Sequence, residues 1–259
     1  MTEKVAIVTA SGKGIGEAIA RELKERGYKL ALMSTSDASI KLAKELGGVG
    51  FQGSVTEEAD VKKLVDGTLE RYGRIDAVAN NSGRHASILQ KHGFQGRGIL
   101  NAAKLTYDPD FESDDILKLP NAVWHDILDL LVLNVVQMCR LVTPLMIRQG
   151  GGAIVNISGM EAVQPRAVYT TGPIRLALHG ITKIYADRYG RHGIRMNNVL
   201  PGIIENAQMD PEEIRRAVPL NRKGTLAEVA KTVAFLLSED AGYISGQNIL
   251  VDGALNRGL

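Results

Sequence analysis

Thr9-Ala10-Ser11-Gly12-Lys13-Gly14-Ile15-Gly16 follows the apolar run Val5-Ala6-Ile7-Val8, and Ile15, Ile19 and Leu23 then recur at helical spacing before Gly27. A strand, a glycine-rich turn and a helix in that order open a βαβ unit. Glycines in such a turn let the backbone approach a ligand and let the helix pack tightly against the strand. The free N–H groups at the helix start present the positive dipole end to a phosphate. The stretch predicts a dinucleotide pyrophosphate site made by Ser11, Gly12, Lys13, Gly14, Ile15 and Gly16. A tight structural turn is the plainer reading of the same glycines.

The same rhythm continues along the chain. Leu30–Met33, Val49–Phe51, Ala77–Ala79, Ala153–Ile157, Arg195–Leu200 and Asn248–Val251 read as further strands. Helical patterns cover Ala38–Leu46, Ala59–Arg71, Asn121–Gln149 (one helix or two), Thr171–Tyr189 and Leu226–Leu237. Strands that are apolar throughout are buried on both faces, and repeated βα units imply a parallel sheet with helices on both sides. The fold class is therefore α/β: one doubly wound Rossmann-type domain over residues 1–259. Its central parallel sheet has about seven strands.

Composition excludes several other classes. The 259 residues are 44% hydrophobic and 23% charged, which is globular and not disordered. Thirty-one basic and 29 acidic residues give a net charge of +2 with no dense basic stripe, so nucleic acid is not expected as a partner. A single cysteine, Cys139, excludes an intrachain disulfide and a cysteine-built metal site. No His/Asp/Glu spacing suggests a metal site. No apolar run reads as a membrane span and no leader layout precedes Val5, so a soluble cytoplasmic protein is expected.

One stretch breaks the rhythm. Residues 84–119 carry Gly93, Gly96 and Gly98, the charged run Asp108–Asp115 and little period. They follow the strand ending at Asn80, and ligands in open parallel sheets bind beyond the carboxyl ends of strands. The stretch is either a lid or substrate-pocket insertion, or a surface or oligomer-contact insertion. His85, His92 and Tyr107 within it have no partner identifiable from sequence, and the histidines read as surface residues.

The end of the second strand bears on cofactor choice. It offers Ser34-Thr35-Ser36, with Asp37 one step later. Hydroxyls accept a 2′-phosphate where a carboxylate repels it, and Lys13 adds a cation. NADP(H) is therefore favoured over NAD(H), the alternative being that Asp37 reaches back to the ribose.

These residues resemble the short-chain dehydrogenase/reductase family over nearly the whole chain apart from the insertion. Thr9 to Gly16 is similar to the family's Thr-Gly-x-x-x-Gly-x-Gly, with Ala10 at the first glycine. Asn80-Asn81-Ser82-Gly83 resembles its Asn-Asn-Ala-Gly, and Asn134 matches the asparagine of its catalytic tetrad. Arg195 to Gly202 resembles the strand and Pro-Gly turn beside the nicotinamide, and Gly246-Gln247 and Val251-Asp252-Gly253 its C-terminal signature. The resemblance implies further cofactor contacts from Ser54, Val55, Asn81, Ser82, Gly83, Pro201, Gly202, Ile203 and Ile204. It also implies tetramers built by pairing long helices across two-fold axes, so a homotetramer is expected, with a dimer second.

The catalytic segment departs from that family. Where the family has a serine and then Tyr-x-x-x-Lys, the serine position falls on Gly159, with Ser158 one residue early. Counting back from Ala177-Leu178-His179-Gly180-Ile181-Thr182-Lys183 puts Arg175 at the lysine position and Thr171 at the tyrosine position. Residues four apart share a helix face. A threonine hydroxyl is a far poorer acid than a phenol of pKa ~10. Arginine keeps its charge and can bind a ribose or an anionic substrate.

The expected site is therefore Asn134 as proton relay, Ser158 and Thr171 on the substrate oxygen, Arg175 on the ribose or a substrate anion, and Tyr169 as proton donor. Glu161 and Arg166 read as solvated loop charges, and His125, His179 and His192 as packing or surface residues. Three functions stay open. One is NADP(H)-dependent interconversion of a small carbonyl compound and its alcohol. The second is non-redox dehydration, decarboxylation or elimination on the same scaffold. The third is a cofactor-binding scaffold without turnover.

Overall fold

The structure, a computed structural model, describes residues 3–82, 88, 91–93, 117, 119–164 and 171–258. Strands β1 (Val5–Thr9), β2 (Lys29–Ser34), β3 (Val49–Gln52), β4 (Ala77–Asn80), β5 (Gly152–Ile157), β6 (Ile194–Pro201) and β7 (Asn248–Val251) form one sheet. All seven are paired in parallel, in the order β3-β2-β1-β4-β5-β6-β7. The expected α/β class with seven parallel strands is what the chain adopts.

The helices are α1 (Gly14–Glu25), α2 (Ala38–Leu46), α3 (Glu58–Tyr72), α4 (Asn121–Leu128), α5 (Asn134–Gln149), α6 (Thr171–Tyr189), α7 (Pro211–Ala217) and α8 (Leu226–Leu237). Alternate strand residues face opposite layers. Ala6, Val8, Leu30 and Leu32 pack with Ile19 and Leu23 of α1 and Val229 and Val233 of α8. Ile7, Ala31 and Met33 pack with Leu64 of α3, Met138 and Val142 of α5, and Leu178 of α6. Helix α7 is an addition to the elements expected from periodicity. Asp210 caps it by accepting from the Glu212 N–H, with Pro211 in its first turn.

A π turn, Asp129–Leu133, joins α4 to α5 without a break. The joined helix, Asn121–Gln149, is long and apolar enough to cross a membrane, with a window of mean hydropathy 1.8. That corrects the expectation that no run reaches that length. Its buried residues Val123, Ile127, Leu131, Val135, Met138, Val142 and Met146 lie in the core with α3 and the sheet, which accounts for part of the apolarity, 44% of that window being buried.

The sheet also carries a polar row. Asn80, Asn156, Asn198 and Asn248 are register partners on β4, β5, β6 and β7. Each hands its side-chain amide to the next: Asn80 Nδ2 to Asn156 Oδ1 at 2.9 Å, Asn156 Nδ2 to Asn198 Oδ1 at 3.0 Å, and Asn198 Nδ2 to Asn248 Oδ1 at 2.7 Å. Thr182 of α6 joins the row, donating to Asn198 Oδ1 at 2.9 Å and accepting from Asn156 Nδ2 at 3.2 Å. The three buried amides, Asn80, Asn156 and Asn198, satisfied in this way, fix register in a sheet that apolar residues alone would let slide.

The expected insertion at 84–119 lies outside the described residues except for Ile88, Lys91–Gly93, Leu117 and Leu119. Within it, His92 is not a free surface residue. Its Nε2 lies 2.9 Å from Asp126 Oδ2 of α4, beside Lys91 Nζ at 2.8 Å. The two contacts hold the Asp126 carboxyl below its usual range, Lys91 contributing more than His92.

Candidate active site

Strand order reverses between β1 and β4, because β1 connects outward to β2 while β4 and its successors run the other way. A crevice at the carboxyl ends is the consequence. The glycine turn sits at its edge. Gly16 is pinned against the turn: a Cβ there would lie 2.5 Å from Asn81 Nδ2 and 2.9 Å from the Ala10 carbonyl carbon. Gly14 has φ +61 and Lys13 is extended, so α1 begins with no side chain capping its N–H groups. An anion can take the place of that missing cap. Ala10 also has positive φ, +46, where the resemblance expects glycine.

The neighbours of this turn divide into braces and exposed groups. Thr9 Oγ1 accepts from the Asn81 N–H at 3.0 Å, and Asn81 Nδ2 donates to the Ala10 carbonyl at 3.2 Å. Ser11 is fully buried, its hydroxyl donating to the Met33 carbonyl at 3.3 Å. Ser34 is turned inward: its hydroxyl donates to the Ser36 carbonyl at 2.9 Å and accepts from the Ser39 N–H at 3.2 Å. Lys13, Thr35 and Ser36 are exposed. Asp37 is paired with Lys41 at 2.8 Å, along α2. Ser54 is braced by Asp60, whose Oδ2 receives the Ser54 N–H at 2.8 Å, and its hydroxyl meets Thr56 Oγ1 at 2.8 Å. Val55 packs at the edge of the core.

On the far side of the crevice, Pro201 ends β6. Gly202 donates to the Val251 carbonyl at 3.0 Å, and the Ile203 carbonyl accepts from the Gly224 N–H at 2.9 Å. Ile204 is buried. The loop that follows returns toward the glycine turn. The Asn206 amide nitrogen lies 3.4 Å from where a Cβ on Gly14 would stand. Sequence reading misses Asn206, since nothing local ties it to a turn nearly two hundred residues earlier. Gly83 lies outside the described residues.

Asn134 follows the π turn directly. Its amide nitrogen donates to the Leu130 carbonyl and, at 2.8 Å, to the Ser82 hydroxyl, which itself donates to the Leu130 carbonyl at 3.0 Å. A π turn leaves carbonyls out of the ordinary helical ladder and recurs at functional sites. Here the Leu130 carbonyl is the acceptor for both groups.

The tetrad positions hold an unexpected arrangement. Glu161, expected in solvent, has a side chain only 14% exposed, and its Oε1 lies 2.8 Å from Nε of Arg175, itself 8% exposed. The Nε–H is not aimed at the carboxylate, so the contact is an ion pair and not an aligned hydrogen bond. Arg175 Nη1 donates to the Ile157 carbonyl at 3.3 Å. Thr171, fully buried, donates its hydroxyl to Glu161 Oε1 at 3.2 Å. The carboxylate lies over Gly159: its Cδ is 2.6 Å from where a Cβ on that glycine would be.

Ser158 is 4% exposed, and its hydroxyl lies 2.8 Å from Nε2 of His179, one turn beyond Arg175 on α6. Nδ1 of His179 has no partner among the described residues. Burial, and then the Arg175 charge, push the His179 imidazolium down to about 4, against a smaller opposing effect of Glu161. So Thr171, Arg175 and Ser158 do converge at the end of β5, together with Glu161 and His179, while Tyr169 and Arg166 lie outside the described residues. Among the described residues no group of three His, Cys, Asp or Glu could hold a metal.

A family model described as short chain dehydrogenase matches residues 4–218. The dehydrogenase/reductase SDR family member 4 of Caenorhabditis elegans is 31% identical over 272 residues, spanning 97% of this chain and 95% of the relative. A 3-oxoacyl-acyl-carrier-protein reductase of Staphylococcus epidermidis is 29% identical, with 97% and 98% covered. A granaticin polyketide synthase putative ketoacyl reductase of Streptomyces violaceoruber is 31% identical, with 96% and 94% covered.

Proposed function

The chain belongs to the short-chain dehydrogenase family, and from that membership we propose that it is an NADP(H)-dependent oxidoreductase interconverting a small carbonyl compound and its alcohol. The observation that carries this reading is the uncapped start of α1, shaped by Gly14 and Gly16, at the β1–β4 reversal. The relatives' names, two of them ketoacyl reductases, support a carbonyl as the reacting group. NADP(H) is favoured because Asp37 is tied to Lys41, while Lys13, Thr35 and Ser36 face solvent beside the turn.

The bound nicotinamide supplies the hydride chemistry. The protein supplies the rest. The α1 N-terminus and Lys13 take the pyrophosphate and 2′-phosphate charges. Gly202, Ile203 and Ile204 wall the far side, and Asn206 lies close to Gly14 of the glycine turn. Asn134 and Ser82 fix the π turn beneath the pocket. Exposed Leu176 and Ile184 on α6, Ile147 on α5, and Phe235 and Leu250 elsewhere supply apolar faces for a homotetramer, with a dimer as the lesser assembly. A cytoplasmic setting fits the reading.

A second reading rests on the Glu161–Arg175–Thr171 cluster, which replaces the phenol and ammonium of the family. It makes the protein a non-redox enzyme or a cofactor-binding scaffold on the same fold. A fluorescence titration with NADPH and, in parallel, NADH tests the first reading: tight NADPH and weak NADH binding are expected. No binding of either removes it. Turnover with no absorbance change at the nicotinamide band moves the assignment to the second.

A further inference from the structure

We propose that Glu161 is the proton acceptor of this site and that it makes the oxygen-binding end select a hydroxyl over a carbonyl. The proposal rests on the oxidoreductase reading above. It begins with space. The family's serine position is Gly159, and the Glu161 carboxylate occupies the volume a side chain there would need. The carboxylate is then fixed on one oxygen. Oε1 takes the Thr171 hydroxyl at 3.2 Å and the Arg175 charge at 2.8 Å. Among the described residues none donates to Oε2, the oxygen nearest the Gly159 position. The side chain is 14% exposed, so it is largely held by its surroundings and a small part of its surface reaches solvent.

The other described groups at the end of β5 cannot move a proton in its place. Thr171 is fully buried and spends its hydrogen on Glu161. Arg175 keeps its proton under all ordinary conditions. Ser158 and His179 are only 4% and 6% exposed and are spent on each other at 2.8 Å. An ionised carboxylate has acceptor lone pairs and no proton to donate. The family's site meets a carbonyl oxygen with hydroxyl donors, whereas this one presents an acceptor, and an acceptor binds O–H and repels C=O.

The step balances as an alcohol oxidation. The substrate O–H bond breaks and its proton goes to Glu161 Oε2. The adjacent C–H bond breaks and its hydride goes to the oxidised nicotinamide cofactor. The alcohol becomes a carbonyl and the cofactor is reduced. Arg175 and Thr171 stay on Oε1 throughout and are positioning residues.

The test uses cyclohexanol and cyclohexanone as matched probes in non-reacting complexes. Cyclohexanol is titrated against the protein with NADPH, and cyclohexanone against the protein with NADP+, by saturation-transfer NMR. Glu161→Gln is expected to weaken cyclohexanol at least tenfold and to leave cyclohexanone equal or tighter. Glu161→Asp is expected to keep part of the hydroxyl preference. Because Glu161→Gln leaves Arg175 without its counter-charge, Glu161→Gln/Arg175→Met is measured too. It is expected to melt like the wild type while the hydroxyl preference stays lost, which a merely structural Glu161 would not produce.

Equal cyclohexanol affinity in wild type and Glu161→Gln overturns the proposal, as does wild-type protein that binds the ketone and not the alcohol. A preference that vanishes in Tyr169→Phe and survives in Glu161→Gln hands the role to the phenol and also overturns it. Failure of the oxidoreductase reading shows separately, as absence of cofactor binding in the titration.

Discussion

Glu161 and Gly159 share one volume: the carboxylate carbon of the first lies 2.6 Å from where a Cβ on the second would stand. The two positions are therefore one choice. A serine at Gly159 has no room while the carboxylate stays in place. It pushes Glu161 away from Arg175, a guanidinium only 8% exposed. Gly159→Ser is expected to lower stability by about 1–3 kcal/mol, the range for overpacking a close-fitted site. Chemical denaturation of Gly159→Ser, Glu161→Ala and the double variant checks it. The double variant should lie clearly above the sum of the two losses.

Arg175→Met leaves the Glu161 carboxylate largely buried and without its cation. Breaking one side of such a pair costs about 3–5 kcal/mol. Adding Glu161→Gln should return most of that loss, because the orphan charge is gone. Urea midpoints of the three variants measure the coupling. Equal stability of Arg175→Met and wild type would show the pair to be no pair in solution.

The burial of His179 beside the Arg175 charge predicts an acid-sensitive fold. His179 takes its proton in the unfolded chain near its ordinary 6.5, but in the folded chain only near 4. As pH falls below 6.5 the unfolded state gains a proton first, so stability is complete above 6.5 and lost between 6.5 and 4. The loss amounts to roughly 3 kcal/mol at full extent, since each pH unit between the two values contributes about 1.4 kcal/mol. Melting temperatures from pH 7.5 to 4.5 measure it. His179→Gln should flatten the curve over that interval.

Ala10 is held at φ +46, a conformation that strains any residue with a Cβ. Ala10→Gly relieves about 1–2 kcal/mol of that strain and gives back about 0.4–1 kcal/mol through the freer unfolded chain. A net gain of about 0.5–1 kcal/mol is expected, read as a rise of a few degrees in Tm. Gly16→Ala goes the other way. Its Cβ meets the Ala10 backbone and the Asn81 amide, neither of which can retreat without opening the turn. Loss of NADPH affinity by at least tenfold is expected, with a lower Tm.

Periodicity reads the sheet and most helices correctly, because strands buried on both faces leave continuous apolar runs and amphipathic helices a repeating stripe. The short helix at Pro211–Ala217 escapes it, since its signal is a cap, Asp210 before Pro211, and not a stripe. The long helix is legible, but its π turn at Asp129–Leu133 is not, because one extra residue in a turn leaves no mark in composition. The site is half legible. Gly14 and Gly16 stand in a turn that local spacing reveals, while Asn81 and Asn134 stand out through the family resemblance. Glu161 reads as a solvated charge because its cation arrives from another element, fourteen residues on. Asn206 is hidden for the same reason across a greater distance.

The asparagine row across β4, β5, β6 and β7 acts as a vernier scale for the whole crevice. Each amide can mesh with its neighbour at only one setting, so a slip of one notch would strand several polar groups at once. The row crosses β4 at its last residue, β5 one residue before its end, β6 three residues before its end and β7 at its first residue. Asn81, Ser158 and Gly202, each just past the end of its strand, stand one, two and four residues beyond that row. Loops can diverge from there, as residues 84–119 do in sequence, without resetting the height from which the chemistry is launched.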